Sequence, residues 1–273
     1  GIEIDSDGHV QVDGVQLPSA GPLSNRNLVI NGAMQIAQRG TENTGQTATA
    51  YRCCDRFRSS IGTLGTWTVQ QSTDAPDGFT NSLRMLCTAA DASPAASDLL
   101  IVNYFIEGFD CQRLLDTATT THPLRLSFWV KAVADAETFP KTASIDLLQD
   151  DNSSKQFSTS YTIQASDTWQ RVVIPIPVDT AAAFANDYGR ALQINWWLNS
   201  GSDYNSGTHS AGWVANDDTA RNATNLGVGG TVDDEFCLTG VQLEVGSVAT
   251  PFEHRSYGDE LAKCQRYCYQ ISS

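Results

Sequence analysis

The chain has 273 residues, of which 41% are hydrophobic and only 18% charged, and its net charge is −14. A surface this acidic repels phosphate backbones and anionic lipid, which argues against nucleic-acid binding and leaves neutral sugars or cations as the easier ligands. No stretch approaches the ~18 apolar residues of a membrane span, so no membrane insertion is expected.

The chain opens Gly1-Ile2-Glu3-Ile4-Asp5, with no basic region, no apolar signal core and no initiator Met, so no secretion signal is expected, and a cut, a processed and a renumbered start are all open. Residues 1–22 alternate around Asp7-Gly8 and Asp13-Gly14, the signature of one or two tight hairpins, followed by a linker from Pro18 to Pro22. Such a piece is too small to bury its own apolar face and should be shaft-like. From 23 to 250 short strands follow one another, at 28–30, 55–59, 67–71, 82–87, 99–105, 124–130, 144–148, 157–163, 169–176, 191–197 and 235–244. Gly, Asn, Asp, Ser and Pro fill the gaps, and 3.6-residue periodicity is almost absent. That pattern predicts an all-β domain, an antiparallel β-sandwich or jelly roll. Pro175 and Pro177 cannot donate to a ladder and mark an edge strand.

The loop at 199–232 is long, polar and carries Tyr204, His209 and Trp213, which makes it the natural place for recognition. Residues 251–273 form an extended link stopped by Pro251 and then a short helix over 256–269. Ser256 and Asp259 resemble a capping box, and Leu261, Cys264 and Cys268 form an apolar stripe that must dock on something. Seven cysteines, two of them adjacent at Cys53 and Cys54, do not suit a disulfide framework. They read as buried reduced thiols, and no zinc-type spacing accompanies Cys264 and Cys268.

Signals for catalysis are sparse. The chain contains no Gly-x-Ser-x-Gly, no phosphate loop and no His-Glu-x-x-His, and His9, His122, His209 and His254 lack evident partners. Among 31 acids no facing pair for glycoside hydrolysis stands out. A non-enzymatic chain without cofactor is therefore expected. Aromatics carry the binding expectation, because sugar C–H faces stack on flat side chains. Trp129 reads as core. Trp196 and Trp197 must point to opposite faces of a strand, leaving one outward. Trp213, Tyr204, Trp197 and Trp67 are the candidate carbohydrate-binding residues.

Three segments resemble a known family. Asn27-Leu28-Val29-Ile30-Asn31-Gly32-Ala33-Met34 and the residues on to Thr41 look like the opening motif of bacteriophage fibre domains. Leu126-Ser127-Phe128-Trp129-Val130-Lys131 and Asp167-Thr168-Trp169-Gln170-Arg171-Val172 look like two of their central strands. The string GVQLEVGSVATPFEHRSYGDELAKCQRYCY, from Gly240 to Tyr269, resembles the C-terminal end of many phage tail-fibre and related virion proteins. The same order is similar, more distantly, to jelly-roll carbohydrate-binding modules, many of which hold a structural calcium near the first strand. Here Met34, Gln35 and Thr239 stand where an aromatic residue and acids are expected, so no metal site is expected by analogy. Asp233, Asp234 and Glu235 are either another oxygen site or simply solvated. The resemblance implies a receptor-binding domain located in the virion, made in the host cytoplasm and assembled as a homotrimer. Its partners would be host cell-surface polysaccharide and other virion proteins. The alternatives are a structural adaptor that contacts only virion subunits, and a polysaccharide depolymerase.

Overall fold

The computed structural model describes residues 2–4, 10–12, 15–16 and 25–270. Near the amino terminus β1 (Ile2–Ile4), β2 (Val10–Val12) and β3 (Val15–Gln16) pair antiparallel in sequence order, with Ile2 opposite Val12 and Val12 opposite Val15. The expected linker from Pro18 to Pro22 lies outside the described residues.

The remaining strands form one sheet folded over on itself. They are β4 (Glu42–Tyr51), β5 (Phe57–Ser72), β6 (Ser82–Ala89), β7 (Leu99–Glu107), β8 (Leu124–Val133), β9 (Lys141–Gln149), β10 (Lys155–Ile163), β11 (Gln170–Ile176), β12 (Arg190–Ser200) and β13 (Glu235–Val245). The order is β10-β9-β12-β7-β5-β6-β13-β8-β11, with β4 beside β5 and every pair antiparallel. Strand β5 makes the fold. Its first half pairs with β7 and its second half with β6, so it belongs to both layers. The bend between them falls at Thr63 and Gly65, whose φ values of 57° and 72° break the pleat. Side chains from both layers fill the space between, with Trp196 of β12 lying edge-on to Phe128 of β8 at 5.7 Å. Each large apolar side chain buried there contributes about 1.5–3 kcal/mol. The architecture is the expected antiparallel sandwich.

Two departures from the expected strands have local causes. Residues 57–59 and 67–71 fall in the two halves of one strand, β5, because Gly62 to Gly65 bend it without ending it, while Asp55 and Arg56 precede it in a turn. Strand β4 carries no alternation to read, since most of its side chains are exposed and only one edge of it is paired. Residues 28–30 belong to no ladder and Ile30 opens a turn, although the Leu28 amide donates to the Leu243 carbonyl at 2.9 Å. Strand β11 is an edge strand paired only with β8, consistent with Pro175.

Short helices α1 (Gly108–Cys111) and α2 (Ser202–Asn205) interrupt the loops, and α3 (Tyr257–Gln265) closes the described chain. Ser256 caps α3, its Oγ accepting from the Asp259 amide at 3.2 Å. The helix stops at Gln265, four residues before the expected end. Its stripe docks on the opening motif: Cys264 packs with Ile30 and Ile36, flanked by Leu261 and Tyr267. Asn27 reaches β13 from the same motif, donating to the Val241 carbonyl at 3.0 Å and accepting from the Leu243 amide at 3.1 Å. Arg255 completes the junction. Its guanidinium pairs with Glu260 at 2.7 Å and Glu253 at 3.3 Å, and donates to the carbonyls of Val29 and Asn27. A side-chain cation thus meets the carboxylates and backbone oxygens that converge beside the opening motif. All seven cysteines are free thiols, and all but Cys268 are buried.

Candidate functional site

The four aromatics singled out from the sequence do not share a surface. Trp67 is wholly buried, its Nε1 donating to the Leu64 carbonyl at 2.7 Å, because Gly229 lets the 227–230 turn close over the indole. Trp196 and Trp197 do point to opposite faces, but neither is open. Trp197 lies on the outer face of β12, where the Tyr204 ring covers it at 5.2 Å and the Arg221 guanidinium at 5.1 Å. Its Nε1 donates to Asp146. Trp213 is half-buried against Phe157 at 6.0 Å, and its Nε1 donates to the Pro177 carbonyl at 2.9 Å. It therefore bridges the open side of the sandwich, between edge strand β10 and the residue that follows edge strand β11. The expected outward platforms at Trp67 and Trp197 are corrected accordingly: a tryptophan on an outer sheet face is buried when a loop folds onto that face.

That loop, 199–232, spends its polar groups on the domain. Asn225 Nδ2 donates to Asn199 Oδ1 at 2.8 Å, and Asn222 Nδ2 to Ser200 Oγ at 2.7 Å. Ser210 and Ser158 exchange amide-to-hydroxyl bonds at 2.9 and 3.1 Å, and Val214 and Gln156 pair through their backbones at 2.7 and 2.8 Å. His209 sits beside Ser144 and Thr224, and burial holds its imidazole below the usual range. Beneath the loop a polar row crosses the sheet in register: Arg58 of β5, Asn103 of β7, Asn195 of β12, Asp146 of β9 and Ser158 of β10. Asn103 Nδ2 donates to Asn195 Oδ1 at 2.6 Å, and Asn195 Nδ2 to Asp146 Oδ2 at 3.0 Å. Burial raises the Asp146 carboxyl above the ordinary range although Arg221 lies 3.4 Å away. Most of the row is sealed.

Only its Arg58 end opens. There a cavity of about 220 Å³ is lined by Tyr51, Arg58, Phe105, Tyr188, Arg190 and Tyr267. Several elements place these groups. Tyr51 ends β4 directly opposite Arg58 in the β4–β5 ladder. Phe105 projects from β7. Tyr188 comes from a turn that α1 pins, and Arg190 opens β12 directly after it: the Gly108 amide donates to the Gly189 carbonyl at 3.0 Å, and the Phe109 amide to the Asp187 carbonyl at 2.8 Å. A Cβ on Gly108 would fall 2.0 Å from the Ala185 carbonyl oxygen, so the turn fits only against a glycine. Tyr188 is 83% exposed.

The electrostatics of the cavity run against the whole chain. Arg58 and Arg190 both approach the Phe105 ring, at 4.6 and 5.0 Å from its centroid. Arg190 pairs with Asp150 at 2.5 Å. Arg56 lies deeper, stacked on Tyr267 at 3.5 Å with Nη2 donating to the Phe105 carbonyl. The one carboxylate in the lining, Glu107, is paired with Arg266 at 2.6 Å. The two facing carboxylates used in glycoside hydrolysis are not assembled here. None of these residues was singled out from the sequence. The available signals were an arginine cluster at 52, 56 and 58 in an acidic chain, and a tyrosine beside Gly189 in a polar turn.

The acids at 233–235 diverge rather than form a site. Asp234 is buried and accepts from the amides of Asp135, Gly229 and Thr231 at 2.8, 2.9 and 3.0 Å. Glu235 pairs with Arg84 at 2.5 Å and Lys131 at 3.0 Å. Among the described residues, Asp74, Glu235 and Cys237 come close enough to share an ion, but Lys131 Nζ already lies 2.6 Å from Asp74. A second cavity, of about 600 Å³, lies beside α3. Arg113 in its wall donates to the Asn25 carbonyl at 2.9 Å, and Arg266 is held by Glu107.

No protein-family model matches the chain, and none of the curated proteins does. Among solved structures it is similar to the C-terminal family 22 carbohydrate-binding module of Clostridium thermocellum Xyn10B, at 9% identity over 84% of this chain and 100% of that one, with a TM-score of 0.39. It is also similar to the family 11 carbohydrate-binding module from Clostridium thermocellum in complex with a β-1,3-1,4-mixed-linked tetrasaccharide, at 10% identity over 77% and 98% of the chains, with a TM-score of 0.37. The fold class rests on the strand pairing itself: an antiparallel β-sandwich with one open, aromatic and cationic corner.

Proposed function

We propose that this chain is a non-catalytic saccharide-binding domain, and that its binding surface is the corner formed by Tyr51, Phe105 and Tyr188. The observation that carries this reading is Tyr188, a large ring left 83% exposed on a rigid turn, above a cavity with a second aromatic at its edge. Sugar rings present C–H faces to such side chains, and a pinned turn lowers the ordering cost of binding. A volume near 220 Å³ is small beside the ~300–1,000 Å³ of clefts that enclose a whole ligand, so it suits one ring or a chain end.

The finer reading is attachment of a bacteriophage to a host-surface polysaccharide, by a homotrimeric fibre domain located in the virion. The resemblance of the segments at 27–41, 126–131, 167–172 and 240–269 supports it. In a particle, several weak sites would add through avidity. Binding of the purified chain to immobilised polysaccharides, and its loss in Tyr188→Ala with the fold intact, tests the domain-level reading. Binding to intact host cells and sedimentation as a trimer test the finer one.

A structural adaptor of the particle is the second reading. Tyr257 at the start of α3 and Tyr269 beyond its end are exposed, as is Val248 after β13, and would suit contact with another subunit. Firm attachment to a virion component without saccharide binding would favour it.

A further inference from the structure

We infer that the saccharide is acidic, with its carboxylate or sulfate seated between the guanidiniums of Arg58 and Arg190 while the ring lies against Tyr188. This rests on the reading of the corner as a saccharide site. Two like charges converge here on a single aromatic ring. Arg190 has Asp150 as a counter-charge, but among the described residues no carboxylate lies within 4.0 Å of Arg58. Its polar contacts are two 3.4 Å approaches to the Asn103 amide oxygen. A guanidinium carries five donors, and the face of Phe105 answers its charge but none of its N–H groups.

Burial presses hardest against the charge of Arg58; Tyr51 supports it, and Arg190 opposes it again. An anion entering from solvent offsets both opposing effects through its attraction to the guanidinium. The fork geometry of arginine matches the paired oxygens of a carboxylate or sulfate. Arg56, in the cavity floor, adds to the positive field, with one of its donors engaged by the Phe105 carbonyl. The net charge of −14 disfavours a polyanion over the chain as a whole, so its binding depends on a local cationic cluster such as this corner.

The experiment is binding of the purified chain to immobilised polygalacturonate, hyaluronan and dextran sulfate as acidic probes, with galactan and dextran as neutral ones. The uronate and sulfate arms separate the two anions. The expected result is salt-sensitive binding to an acidic probe, weakened about tenfold to a hundredfold by Arg58→Gln and by Arg190→Gln. Arg190 has a side chain 49% exposed, so its variant is expected to fold even where the more buried Arg58 variant does not. Near-UV circular dichroism checks both. Equal or stronger binding to the neutral probes, or undiminished acidic binding in Arg190→Gln, overturns the anion seat and leaves the saccharide reading standing. Absence of binding to every probe overturns both.

Discussion

Two polar segments of this chain look alike in composition and do opposite things. The loop at 199–232 is long, rich in Asn, Asp, Gly and Thr, and carries Tyr204 and Trp213. The turn at 185–189 is five residues with one tyrosine, and Arg190 follows it at the start of β12. The long loop turns its polar groups inward, seals the row from Asn103 to Ser158, and buries Trp197 under Tyr204 and Arg221. The short turn is pinned through its backbone and leaves Tyr188 in solvent at the cavity lined by Arg58, which has no carboxylate partner among the described residues. Polar composition marks contact with water or with neighbouring polar groups, and only the hydrogen-bond accounting tells the two apart.

The sharpest way to break this contrast is to strip the loop's underside. Trp197→Ala removes a fully buried indole and a donor to Asp146. The expected cost is about 3–5 kcal/mol by urea denaturation. A cost below about 1 kcal/mol would mean the loop is a loose cover rather than packed structure. Trp213→Ala, half-buried across the open side of the sandwich, should cost about 1–3 kcal/mol in the same assay. Tyr188→Ala should change stability by no more than about 0.5 kcal/mol, since its ring contacts mostly water. A large loss there would reassign the turn to scaffold. The smallest effect concerns the α3 junction: burial pushes the Cys264 thiol up to about 12, so alkylation at pH 8 should label Cys268 well before Cys264. Equal labelling would show that α3 undocks.

Much of the scaffold was legible because its signals are local. Leu126, Phe128 and Val130 alternate as a strand must, Pro175 marks an edge, and Ser256 caps its helix. The C-terminal string also held up as scaffold, since β13 and α3 both lock onto the opening motif at Asn27, Ile30 and Ile36. Strand β4 was not legible because an edge strand with mostly exposed side chains needs no apolar alternation.

The candidate site was less legible for a non-local reason. Arg58, Phe105 and Arg190 meet through the registers of β5, β7 and β12, and no window of sequence contains all three. Net charge misled in the same way. A total of −14 favoured neutral sugars or cations, whereas the cavity lining holds three arginines against one carboxylate that is already paired. Trp197 was misread because its cover, Arg221, follows it by a loop whose path the sequence does not state.

The most direct test is one binding titration on three proteins: the wild type, Tyr188→Ala and Trp213→Ala, each confirmed folded, against the polysaccharide the wild type binds best. The account predicts about tenfold weaker binding for Tyr188→Ala and unchanged affinity for Trp213→Ala. The reverse pattern would return recognition to the 199–232 loop and contradict the account.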